Sequence, residues 1–286
     1  MRFVGFEPFT VNVAGVTVHG QRGGNGPPLL LLHGFPQTHV MWHAVAPLLA
    51  EEFTVVATDL RGYGDSGKPP SAPDHLPYSK RAMALDQLRV MERLGYERFA
   101  LAGHDRGART AYRLALDHPG RVTRLAVLDV VPTADALNAV DAELARKLWR
   151  WFFLAQPAPL PEKLIAADPE AFYFGAQAGL FAPEALAAYR RAVADPATVH
   201  AMCEDYRAMV GRDVEHDEAD RAHGRRITAP LLALWGKRSH TDRHHDVLAV
   251  WRRWADDVQG RALDCGHFLP EEAPQRTAEE LLEFFR

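Results

Sequence analysis

Five short apolar runs, at residues 29–32, 53–57, 99–102, 125–128 and 231–235, each end in a polar or glycine-rich turn. Helical patterns at 78–94 and 108–117 lie between them, and a further one at 278–285 closes the chain. Apolar runs of this length suit strands buried on both faces, and strands alternating with helices build a mostly parallel sheet flanked by helices, an α/β fold. Ahead of them, residues 11–20 read VNVAGVTVHG, alternating about a central Ala-Gly, which predicts an antiparallel hairpin.

The alternation stops between residues 134 and 224. That stretch is rich in Ala, Leu, Arg and aromatics, is interrupted by Pro157, Pro159, Pro161, Pro169, Pro183 and Pro196, and contains no strand-like run. It reads as a helical cap inserted between two strands, leaving residues 1–133 and 225–286 as the core that carries the sheet. With 47% hydrophobic and 24% charged residues, the 286-residue chain can bury a substantial core, which argues against a disordered chain or a coiled coil. The net charge of −4 arises from 33 basic and 37 acidic residues without long single-sign runs, so nucleic acid and anionic membranes are poor partners and a small molecule is the expected one. Neither a signal peptide nor a membrane span is legible, so a cytoplasmic protein is expected. Cys203 and Cys265 lie far apart and lack metal-ligand spacing, which fits free buried thiols better than a disulfide.

The most specific local signal is Leu101-Ala-Gly-His-Asp-Arg-Gly-Ala-Arg109, which follows a strand and opens a helix. Gly103 and Gly107 flank Asp105 at minus two and plus two, the spacing of a turn that holds a nucleophile at a strained angle between strand and helix. An N-cap role alone accounts for an Asp at this point but not for both glycines. With Ser at its centre the turn would serve acyl transfer. A carboxylate suits in-line displacement at saturated carbon, leaving an alkyl ester that water must hydrolyse with the help of a base. His267, in Asp264-Cys-Gly-His-Phe-Leu-Pro-Glu-Glu272, is the candidate base, since it follows the last strand and an oriented neutral imidazole can take a proton from water. Asp129, at the carboxyl end of the strand after the nucleophile's, is the preferred orienting acid; the rival is Asp242, beyond the following strand. His33-Gly-Phe-Pro36 follows an apolar strand, and the backbone N–H groups of Phe35 and Arg106 are the candidate oxyanion donors.

Together, His33-Gly-Phe-Pro, Asp59-Leu-Arg-Gly-Tyr-Gly-Asp-Ser66, Gly103-His-Asp-Arg-Gly107 and Gly266-His-Phe-Leu-Pro-Glu271 resemble the α/β-hydrolase superfamily, and within it the haloacetate (fluoroacetate) dehalogenases. The likeness runs over nearly the whole chain, including Phe153-Leu-Ala-Gln-Pro-Ala-Pro-Leu-Pro161 and Met202-Cys-Glu-Asp-Tyr-Arg207. It implies hydrolytic dehalogenation of small 2-haloacids without metal or organic cofactor, and a homodimer. It also implies that Arg106 and Arg109 hold the substrate carboxylate and that Trp151 and Tyr206 receive the departing halide. At the family's halide-pocket His this sequence has Arg150, and the stretch 172–184 is shorter than in fluoroacetate enzymes, so the preference among halogens is left open.

Two other readings compete. An epoxide hydrolase uses the same Asp, acid and His, with two cap phenols to protonate the epoxide oxygen; Tyr206 with Tyr173 or Tyr189 would serve, but Arg106 and Arg109 would then be idle. A non-catalytic ligand-binding protein on the same scaffold is disfavoured because Asp105, Asp129 and His267 are all present. An esterase would need Ser at position 105.

Overall fold

The structure, a computed structural model, describes all 286 residues. The hairpin is longer than its apolar alternation shows: β1 (Phe6–Val13) and β2 (Val16–Gly23) pair along their full length, joined by Ala14 and Gly15 at φ of 52° and 88°. Two consecutive positive φ angles match the twist of antiparallel strands, which explains the central Ala-Gly. The five apolar runs form β3 (Pro28–Leu32), β4 (Thr54–Thr58), β5 (Phe99–His104), β6 (Val122–Leu128) and β7 (Leu231–Gly236). An eighth strand, β8 (Val258–Leu263), was not legible. Its sequence VQGRAL carries polar residues at alternate, exposed positions because it is an edge strand with only one neighbour.

The sheet order is β1-β2-β4-β3-β5-β6-β7-β8, parallel from β4 to β8 and antiparallel in β1, β2 and β4. From β3 the chain steps outward to β4, and from β5 it steps the other way, so the order reverses between β3 and β5. Strand carboxyl ends at such a reversal leave a crevice open to a ligand. Register aligns what lies there: Leu32 pairs with Gly103 and His104 with Leu128, so Asp105 and Asp129 are the next residues on neighbouring strands.

Helix Lys80–Arg93 is capped by the Ser79 hydroxyl, which accepts from the Ala82 N–H. Helix Arg106–Asp117 starts two residues earlier than its periodicity indicates, directly at the turn. The closing helix starts at Pro274, where a missing N–H costs nothing. Between β6 and β7 every regular element is helical, from Thr133–Asn138 to Val214–Ala222. No helix is long and apolar enough to cross a membrane.

Candidate active site

Asp105 sits at φ 46° and ψ −113° between β5 and the following helix, an angle that costs on the order of 1–3 kcal/mol for a non-glycine residue and persists only where its surroundings dictate it. They do so by close packing. A Cβ on Gly107 would lie 2.4 Å from the His33 carbonyl oxygen, and one on Gly103 would lie 2.6 Å from the Gly107 backbone. Gly34 is constrained from the other side, since its Cβ would come within 2.8 Å of the Asp105 Cβ. The Asp105 carboxylate is buried, and its Oδ2 accepts the Phe35 N–H at 3.1 Å. Burial opposes its charge, but His267, His104, Arg106 and Arg109 outweigh that and hold its pKa below the ordinary value.

The loop that presents Phe35 is locked by His33. Its Nδ1–H donates to the Gly34 carbonyl at 2.9 Å while its Nε2 accepts the Leu60 N–H at 3.0 Å, so a single neutral tautomer satisfies both bonds. Burial lowers its pKa accordingly.

Asp129, at the end of β6 and at φ 51°, is surrounded by donors. Oδ1 accepts from the Gly236 N–H at 2.9 Å and the Ser239 hydroxyl at 2.7 Å; Oδ2 accepts from His267 Nδ1 at 2.6 Å and the Thr241 hydroxyl at 3.3 Å. Burial opposes its ionisation, yet the His267 bond and the other donors leave its pKa low. Asp242 points elsewhere and accepts the Trp235 indole N–H at 2.6 Å. With Nδ1 on Asp129, His267 turns Nε2 toward Asp105 Oδ2, 4.0 Å away. His104 was not singled out from sequence, although it adjoins Asp105. Its Nε2 donates to the His267 carbonyl at 2.8 Å, and burial with the nearby His267 pushes its pKa to about 4, so it braces the loop as a neutral ring.

The two arginines separate. Arg106 does not reach the cavity: Nε donates to Asp205 Oδ2 at 2.9 Å, Nη2 donates to the Asp205 carboxylate and carbonyl, and Cζ stacks 4.3 Å from the Tyr206 ring. The side chain expected to grip the substrate is held here in a buried pairing that also takes in Lys80 and the Tyr63 hydroxyl. The partner lies 99 residues away in sequence, so no local pattern announces it. Arg109 lines the cavity, buried, stacked 4.9 Å from the Trp151 ring. Its Nη1 donates to the Val131 carbonyl and the Thr133 hydroxyl at 3.2 and 3.0 Å, but Nε is buried without a partner and no carboxylate pairs with the guanidinium. Burial lowers its pKa.

The cavity encloses about 160 Å³ and is lined by Asp105, Asp129 and His267 on one side and by Arg150, Trp151, Tyr173 and Tyr206 on the other. The Tyr173 hydroxyl is buried without a partner, whereas the Tyr189 hydroxyl donates to Glu271 and does not face this space. Arg150 turns Nε and Nη2 onto the Phe172 carbonyl at 3.1 and 3.0 Å and stacks on Trp149, so its guanidinium is tethered at the cavity wall.

A carboxylate at a strained turn, a histidine opposite it and a helical cover match what residues 27–274 show on comparison: they fit the alpha/beta hydrolase fold family. The chain belongs to the α/β-hydrolase family, in its haloacetate dehalogenase branch. A fluoroacetate dehalogenase from Burkholderia sp is 49% identical over 289 aligned positions, covering 99% of this chain and 94% of that protein. A soluble epoxide hydrolase from Corynebacterium sp. (strain C12) is 33% identical, covering 96% of this chain and 95% of its own. A solved α/β-hydrolase structure from Nostoc sp PCC 7120 superposes with a TM-score of 0.97 at 52% identity, covering 99% of both chains.

Proposed function

We propose that the protein hydrolyses the carbon–halogen bond of small 2-haloacids, with Asp105 as nucleophile, His267 as base and Asp129 as its orienting acid. The observation that carries this reading is the free side of Arg109. With Nη1 spent on the protein and Nε sealed off without a partner, Nη2 remains as an unbonded donor on a buried cation that lines the cavity and has no paired anion. Leaving a desolvated charge unpaired is costly unless a ligand supplies the counter-charge.

In the first step a substrate carboxylate sits on Arg109, and the Asp105 Oδ1 displaces halide from C2. The carbon–oxygen bond forms as the carbon–halogen bond breaks, and the halide leaves with the electron pair toward the Trp151 and Tyr206 donors, with Arg150 at the cavity wall. In the second step water attacks the Asp105 Cγ and gives a proton to His267 Nε2. The oxyanion forms on Oδ2, already held by the Phe35 N–H, with the Arg106 backbone N–H as the second donor. Collapse breaks the Cγ–Oδ1 bond, the departing oxygen takes the proton from His267 to become the hydroxyl of the 2-hydroxyacid, and the second water proton leaves the regenerated Asp105 carboxyl for solvent. No metal or organic cofactor enters these steps. Because the reacting groups come from residues 1–133 and 225–286 and the halide donors from residues 134–224, a core and cap division at those boundaries fits the chemistry.

Epoxide hydrolysis remains the second reading, because Tyr173 and Tyr206 both face the cavity and the Tyr173 hydroxyl has no partner. Halide release from fluoroacetate, chloroacetate and 2-chloropropionate, with Asp105→Ala as control, tests the choice. Release abolished by the substitution supports the haloacid reading; turnover of neutral epoxides with none of the haloacids overturns it.

A further inference from the structure

The mechanism above leaves one wall of the cavity without work. Lys147, Gln177, His240 and His245 also line it, and none of their side chains makes a hydrogen bond or ion pair within the protein. A two-carbon haloacetate uses Arg109 for its carboxylate and the cap donors for its halide, so no atom of it remains to meet this wall. Polar side chains held at a cavity without protein partners mark places where a ligand supplies them.

Lys147 is the charged side chain on this wall: burial holds His240 as a neutral ring with a pKa of about 4 and lowers that of His245, so both offer a ring N–H rather than a charge. At Lys147 the cavity opens into a shallower depression that also holds Arg238, Arg243 and Glu272. Arg238 is paired with Asp264 and Arg243 with Glu143, and Glu272 accepts the Gly266 and Phe268 N–H groups. Lys147 is therefore the cation at the mouth that no acid neutralises. His240 lies beside it, its ring 5.9 Å from that of His267.

We propose, resting on the haloacid reading, that the preferred substrates are 2-haloacids bearing a second carboxylate, with Lys147 and His240 recognising that group while Arg109 holds the first. Asp105 then yields a 2-hydroxy dicarboxylate and halide by the same two steps.

The test compares halide release from 2-chlorosuccinate and from 2-chlorobutyrate, which has the same carbon count and lacks the second carboxylate, with chloroacetate as reference. The purified protein should show kcat/KM at least tenfold higher for 2-chlorosuccinate. That ratio should fall at least fivefold in Lys147→Met, an exposed position that does not threaten folding, and in His240→Gln. A ratio near one, or a high ratio unchanged in both variants, overturns the proposal. Asp105-dependent release from chloroacetate with none from 2-chlorosuccinate overturns this inference alone, whereas no release from any haloacid removes the reading beneath it.

Discussion

Replacing Arg109 with Met keeps most of the aliphatic stem and removes the guanidinium that faces the cavity. If that group holds the substrate carboxylate, the variant loses one partner of a buried, hydrogen-bonded charge pair, a loss of about 2–5 kcal/mol. At about 1.4 kcal/mol per decade, kcat/KM for chloroacetate should fall between roughly 30-fold and several thousandfold. Stability should move far less. The variant gives up the bonds from Nη1 to Val131 and Thr133, charge-assisted contacts of about 1.5–3 kcal/mol each, and relieves a desolvation penalty of several kcal/mol, so the two nearly offset. The assay pairs halide release with urea unfolding and adds chloroacetamide, the neutral analogue. The native preference for chloroacetate over chloroacetamide should collapse in Arg109→Met. A stability loss above about 3 kcal/mol with less than a tenfold change in kcat/KM would show that Arg109 is structural and would remove the main support for an acidic substrate.

His267→Asn should release one halide per site and then stop, with the alkyl ester on Asp105 visible as a mass increase on the intact protein; sustained turnover would contradict its role as base. Burial disfavours the His267 imidazolium, but the Asp129 hydrogen bond and the Asp129 and Asp105 charges outweigh it and raise the pKa above 6.5. Ester hydrolysis needs the neutral ring, so its rate should climb with pH along a limb displaced above 6.5, and Asp129→Asn should move that limb to lower pH, as measured by single-turnover kinetics. Arg150→His, which exchanges the group tethered to the Phe172 carbonyl for a compact donor, should raise turnover of fluoroacetate relative to chloroacetate; an unchanged ratio would show that Arg150 does not control halide choice.

What sequence could convey divides along the range of the forces involved. The turn around Asp105 was legible because its constraints are local: two glycines must stand where any Cβ would strike backbone, and a strand and a helix must meet across one residue. The inner strands were legible because burial on both faces demands unbroken apolar runs, and β8 was not, because an edge strand needs none. The choice between Asp129 and Asp242 turned on position at a strand end, and the structure puts the His267 ring against Asp129. Roles set by long-range pairing left no such mark. Arg106 and Arg109 are three residues apart on one helix, and only the arrival of Asp205 from the segment between β6 and β7 separates them, one neutralised and one without an acid partner. Tyr173 and Tyr189 are likewise equivalent on paper until Glu271 takes the hydroxyl of Tyr189. A buried cation is informative only once its anion, or the lack of one, is known, and here that depends on contacts some hundred residues apart. On the proposed reading, the distinction would let a carboxylate specificity sit on a scaffold shared with an epoxide hydrolase. The nucleophile and base can be common to both chemistries, while the charge that selects an acid rests on Arg109 remaining unpaired.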